Sequence, residues 1–159
     1  MNSLLDMKGR LLHLLGEEGV QLQEDKISII NRGNPHIVPF SADKLYVYTF
    51  KFASEYLKVG KAGKRSKARL QSHHYNPASS QSNLALSLLQ DNEMKKYNLT
   101  KENVGLWIKK NVERVDIEID ECAGVFVQNF VEAALHCMLK PKYEGFESQR
   151  EVRFGEVIK

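Results

Sequence analysis

The sequence predicts an α+β protein, an α/β sandwich in which a small, three-stranded, mostly antiparallel sheet is flanked by helices. Three observations point there. Two β-rich runs, 45–50 and 56–60, lie close enough to form a hairpin, and an alternating run, 112–119, stands far downstream. Between and after them, apolar residues recur at helical spacing. With 159 residues, 42% hydrophobic and 27% charged, the chain holds one ordinary domain with a core of its own, which excludes wholesale disorder.

The elements follow in order. Residues 3–18 read as an amphipathic helix, with Leu4, Met7, Leu11 and Leu15 in one stripe and Ser3 as the N-cap. Residues 20–30 read as a small hairpin because Ile27 and Ile29 alternate with polar neighbours, and 31–35 (Asn-Arg-Gly-Asn-Pro) as a turn. Residues 1–40 thus form an N-terminal extension and 41–159 the main domain. In the hairpin of 45–50 and 56–60, Leu57 and Val59 are expected on one face and Tyr46, Tyr48, Tyr56 and Lys58 on the other. Helices are expected at 64–75, 83–90, 103–109 and 125–139, the last ended by Pro141. The run 112–119 reads as a half-buried strand, with Asp116, Glu118 and Asp120 on its wet side. A short strand is expected at 152–154.

The net charge is +3, and it is local. Between Lys58 and Arg69 stand six basic residues and no acid; setting them aside leaves 17 of the 23 basic residues against all 20 acidic ones, a net of −3. A basic patch on an acidic body suits an anion such as phosphate, although a solvated lysine-rich face would look the same. Cys122 and Cys137 lie among apolar residues, lack zinc-ligand spacing and read as small core side chains. The N-terminus lacks the pattern of a signal peptide, and no apolar run approaches ~18 residues. A cytoplasmic protein without a membrane partner is expected.

Three sets of residues have chemical potential. Arg65, Arg69 and His73 are spaced i, i+4, i+8 and would line one helix face, where arginine can fork onto phosphate oxygens and histidine can move a proton near neutral pH. On the apolar last helix, Glu132 and His136 form part of a narrow polar line, either a solvent stripe or a site for a cation. The tyrosines Tyr46, Tyr48 and Tyr56 would gather beside Lys58 and Lys61, either as ordinary cross-strand aromatics or as a cluster of hydroxyls.

Together these residues resemble the GIY-YIG nucleases. Lys44-Leu45-Tyr46 stands at the first signature triplet and Lys58-Val59-Gly60 at the second. Lys61 directly follows that glycine, with Arg69 nine residues beyond it and His73 four further on. The stretch 129–135 (Asn-Phe-Val-Glu-Ala-Ala-Leu) resembles the family's helix with a metal-binding glutamate, and 141–145 the segment after it. The resemblance covers about residues 44–145 and rests on the ordered set rather than on any one piece. The first triplet keeps only its tyrosine, Lys58 stands where tyrosine is usual, and Glu144 where many members have asparagine. Tyr56, two residues before Lys58, is the candidate substitute hydroxyl. Lysine-bearing second triplets also occur in a divergent phage and bacterial branch.

The resemblance implies a metal-dependent endonuclease that hydrolyses DNA phosphodiesters, of restriction, phage or defence type. It implies Glu132 as ligand to Mg²⁺ (or Mn²⁺), Tyr46 or Tyr56 as the group acting on water, His73 as proton acceptor, and Lys61 and Arg69 as transition-state cations. Lys58, Lys64, Arg65, Lys67 and His74 are the expected DNA contacts. One such site cuts one strand, so double-strand cleavage would call for a homodimer or two visits. The alternative is a non-catalytic nucleic-acid-binding module on the same scaffold.

Overall fold

The strands β1 (Ile27–Asn31), β2 (Lys44–Phe52), β3 (Glu55–Ala62) and β4 (Glu113–Asp120) pair antiparallel in the spatial order β1–β4–β2–β3. The computed structural model describes residues 4–80 and 83–144, so the strand expected at 152–154 lies outside them. Helices α1 (Leu4–Glu17) and α5 (Gly124–Leu139) cover one face of the sheet, and α2 (Lys67–Gln71), α3 (Leu84–Gln90) and α4 (Val104–Asn111) the other. The α+β class therefore holds, with four strands instead of three.

Each face has its own core. Val47, Val59, Ile117 and Ile119 pack against Leu11 and Leu15 of α1 and Val127, Val131 and Leu135 of α5. Tyr46, Tyr48 and Phe50 face the opposite way, onto Leu70, Leu84, Leu88 and Ile108. The stretch 121–139 is apolar and long enough to pass for a membrane span, but the inner side of α5 is the wall of a core, which is compatible with a soluble protein.

Several expectations change in the folded chain. The stretch 20–30 is not a hairpin. A 3₁₀ turn at Glu24–Lys26 leads into β1, which pairs with β4, and the fourth strand comes from this N-terminal region. The helix expected at 64–75 is broken: α2 ends at Gln71, where the Ser72 hydroxyl donates back to the Ala68 carbonyl at 2.8 Å, and a 3₁₀ turn (His73–Tyr75) follows. Arg65 precedes α2, so Arg65, Arg69 and His73 do not form a continuous helical stripe. Both cysteines are exposed instead of serving as core side chains, Cys122 in a short turn and Cys137 on the outer side of α5.

A bulge in the hairpin re-aims its side chains. Phe50 opposes Lys58, whereas Lys51 opposes Tyr56, leaving Leu57 as the extra residue. Leu57 joins the Tyr48–Phe50 core and Val59 the other one, so the two do not share a face; nor do Tyr56 and Lys58.

The acidic side of β4 is only partly wet: Glu118 and Asp120 are partly exposed, and Asp116 is not. Asp116 is fully buried, because α2, α3 and α4 cover the face to which strict alternation assigned solvent. Its carboxylate accepts 2.7 Å hydrogen bonds from Arg114 Nε and Arg32 Nε, and Arg32 also pairs with Glu118. The Arg114 guanidinium lies 4.9 Å from the Tyr48 ring centre and donates to the Leu70 carbonyl at 3.0 Å and the Tyr75 hydroxyl at 2.7 Å. A buried charge is tolerated when paired and hydrogen-bonded in this manner.

Candidate active site

The site forms around the outer strand, β3, at the position where that strand lacks a side chain. Tyr48 opposes Gly60, and its ring lies across the glycine. A Cβ at residue 60 would stand 2.8 Å from Tyr48 Cε2 and 2.9 Å from the phenol oxygen. Here glycine is required by space. The phenol oxygen is 2.7 Å from Nε2 of His74, a buried ring held edge-on to Tyr48. Burial pushes the Tyr48 pKa up to about 12; the positive charges of Arg69 and Arg114 oppose this, and the charge of Glu132 adds to it.

Arg69 reaches this place because α2 is anchored at the neighbouring residue, Leu70. Leu70 is buried in the core, and its carbonyl is the one held by Arg114. The buried Arg114–Asp116 pair thereby ties the short helix carrying Arg69 to the centre of the sheet.

From the other side, α5 is pinned by Gln128, whose amide donates to the carbonyls of Tyr46 and Ala62, both at 3.0 Å. One turn further on, Glu132 Oε2 lies 2.6 Å from Lys61 Nζ, which also donates to Asn129 Oδ1 at 2.8 Å. His136 donates from Nδ1 to the Glu132 carbonyl at 2.9 Å, and its Nε2 is 3.3 Å from Glu144, which pairs with Lys58 at 3.0 Å. The Glu144 hydrogen bond holds the His136 pKa above its ordinary value. Burial works to raise the pKa of Glu144, but His136 and Lys58 outweigh it and hold that carboxyl below the usual range.

The expected site residues therefore separate into groups. Lys61, Arg69 and Glu132 are brought to the Tyr48–Gly60 edge. Lys64 and Arg65 are exposed on the approach to α2 and Lys67 at its first residue, with Lys64 paired to Glu121. Tyr46 is a core residue whose hydroxyl accepts from the Ser41 amide at 2.7 Å. Tyr56 sits across the bulge beside Lys51. Lys58 and His74 are interior, and His73 is a half-buried neighbour whose carbonyl accepts from Ser79. The sequence placed Tyr48 among the hairpin tyrosines but gave the catalytic role to Tyr46 or Tyr56, and it named Lys58, Glu144 and His136 without linking them into one series. The signal for Tyr48 was that it follows Tyr46 at strand period and shares its face.

No family model matches the chain, and no curated protein or solved structure matches it significantly. Among the described residues, no three His, Cys, Asp or Glu side chains gather as a ready metal cage. Glu132, partly exposed at the rim, has the chemistry for a magnesium ion, which takes one or two carboxylates and keeps water in its other positions.

Proposed function

We propose that this chain is a Mg²⁺-dependent (or Mn²⁺-dependent) endonuclease that hydrolyses DNA phosphodiesters, a divergent relative of the GIY-YIG nucleases acting in the cytoplasm. The observation that carries the reading is the meeting of Tyr48, Lys61, Arg69 and Glu132 around Gly60, from four different elements. Tyr48 takes the role that the sequence pattern gave to Tyr46, two residues along the same strand face. The two departures from the family pattern in the second half of the site, Lys58 and Glu144, are partners of each other, so that one change compensates the other.

In this reading the exposed Lys64, Arg65 and Lys67 draw the DNA backbone to the edge of β3, and Arg69 forks onto the scissile phosphate. Glu132 would hold the metal, whose chemistry is to stabilise charge on the phosphate and the departing 3′ oxygen. Lys61 leaves its pairing with Glu132 as substrate enters and turns its charge to the phosphate. Tyr48 orients the attacking water, and Arg69 opposes the cost of negative charge on its oxygen.

Two observations favour the alternative, a nucleic-acid-binding module without turnover: Tyr48 is fully buried, and Glu132 is already satisfied by Lys61. The two readings separate in a single experiment with supercoiled plasmid, Mg²⁺ or Mn²⁺, and the wild type beside Tyr48→Phe. Metal-dependent nicking that is lost in Tyr48→Phe supports the nuclease. Retarded DNA migration without nicking, in either metal, supports the binding module.

A further inference from the structure

His74 is buried, and both of its ring nitrogens are engaged. Nδ1 accepts from the backbone N–H of Leu84 at 3.4 Å. Leu84 is the first residue of α3, so this N–H is one of the donors that a helix start leaves without an internal partner. The Asn83 side chain caps the amide two residues further on, at Leu86, and leaves Leu84 to the histidine. Nε2 lies 2.7 Å from the Tyr48 oxygen. A neutral imidazole has one N–H and one lone pair. With the lone pair of Nδ1 directed at Leu84, the proton sits on Nε2, and the short contact to Tyr48 runs from histidine to tyrosine.

We propose that His74 is locked as the Nε2–H tautomer and is a hydrogen-bond donor to the Tyr48 oxygen: a positioning residue, and not the base that receives the tyrosine proton. Its importance for catalysis rests on the nuclease reading; the tautomer itself does not. The surroundings agree. A proton added at Nδ1 would point at the Leu84 N–H, and the charged groups facing the ring are Lys58 from β3, Arg114 from β4 and Arg69 from α2, with His73 adjacent. Burial, then those cations, push the His74 pKa down to about 3, far from the range of a base that works near neutral pH. His74 and Arg69 together thus present positive character to one phenol oxygen, an arrangement that lowers the cost of negative charge there without overcoming the burial that keeps Tyr48 a phenol.

The test is the imidazole ¹⁵N–¹H correlation spectrum of the uniformly ¹⁵N-labelled wild-type chain, recorded from pH 8 down to pH 5. The expected result is an Nε2–H tautomer for His74 that does not titrate in that range. An Nδ1–H tautomer, or a titration near the ordinary pKa of ~6.5, overturns the proposal. Nicking assays carry the catalytic part. His74→Gln, which returns an amide donor near Nε2, should keep most of the activity, while His74→Leu should lose about tenfold, the worth of one hydrogen bond to a charge-bearing oxygen. If the Gln variant folds and is as impaired as Leu, the donor role is wrong. If the wild type does not nick, the nuclease reading fails and the spectrum still decides the tautomer.

Discussion

Asp116→Ala is expected to be among the most damaging single substitutions in this chain, and its cost can be reasoned from the geometry. The carboxylate is fully buried and accepts two charge-assisted hydrogen bonds of 2.7 Å, from Arg32 and Arg114. Arg32 retains Glu118 after the substitution, whereas Arg114 is fully buried and would keep only the neutral acceptors Leu70 O and Tyr75 Oη. The loss is therefore that of one partner of a buried pair, about 3–5 kcal/mol. In a chain of this length that corresponds to a fall of roughly 10 °C in Tm. Urea titration followed by circular dichroism measures it, in a cycle of Asp116→Leu, Arg114→Met and the double variant. The double variant should recover most of the stability, because replacing both charges by apolar groups is often neutral. It should not recover nicking, since the tie from Arg114 to the Leu70 carbonyl, next to Arg69, is gone. A cost for Asp116→Ala below ~1 kcal/mol, the range of a surface ion pair, would refute this account of the sheet's centre.

Two further outcomes follow from the same structure. Gly60→Ala would put a methyl group within 2.9 Å of the Tyr48 ring, so it should cost about 1–3 kcal/mol by overpacking and displace the tyrosine from His74; unchanged stability with unchanged aromatic near-UV dichroism would contradict that contact. Stability should also fall on acidification below pH 6.5. Burial holds His36 at about 4 and His74 at about 3, so the unfolded chain binds protons that the folded chain does not, each group contributing up to about 1.4 kcal/mol per pH unit. His136, raised by Glu144, works in the opposite direction: its contribution is complete below the unfolded value and lost as pH rises through the folded one. Urea midpoints at pH 7 and pH 5 give the net, expected to be lower at pH 5, with a smaller drop in His74→Leu; a flat profile would count against two neutral buried histidines.

The helices α3, α4 and α5 and the strands β2, β3 and β4 were legible because their apolar residues recur at a period that one buried face imposes. What was not legible depends on contacts between distant residues. β1 is five residues long, and its partner β4 lies more than eighty residues away. The bulge at Leu57 is a property of how two strands meet, and it reverses the faces of the residues beside it. Alternation assigned Asp116 to water on the assumption that one face of β4 is wet; with helices on both faces, the carboxylate needed Arg32 and Arg114, and nothing local to Asp116 names Arg32 as a partner. In the site, the grouping of Lys61, Arg69 and Glu132 came from an ordered pattern, which carries spacing but not register. Register is what selects Tyr48 over Tyr46, and the position of the Leu84 amide is what distinguishes His74 from His73.

The central claim is that the groups meeting at Gly60 cut a phosphodiester with the help of a divalent ion, and Glu132→Ala tests it most directly. Supercoiled plasmid should be nicked by the wild type with Mg²⁺ or Mn²⁺, not with a chelator, and at least about 100-fold more slowly by folded Glu132→Ala. Nicking that is undiminished in Glu132→Ala, or a wild type inert with both ions, would contradict it.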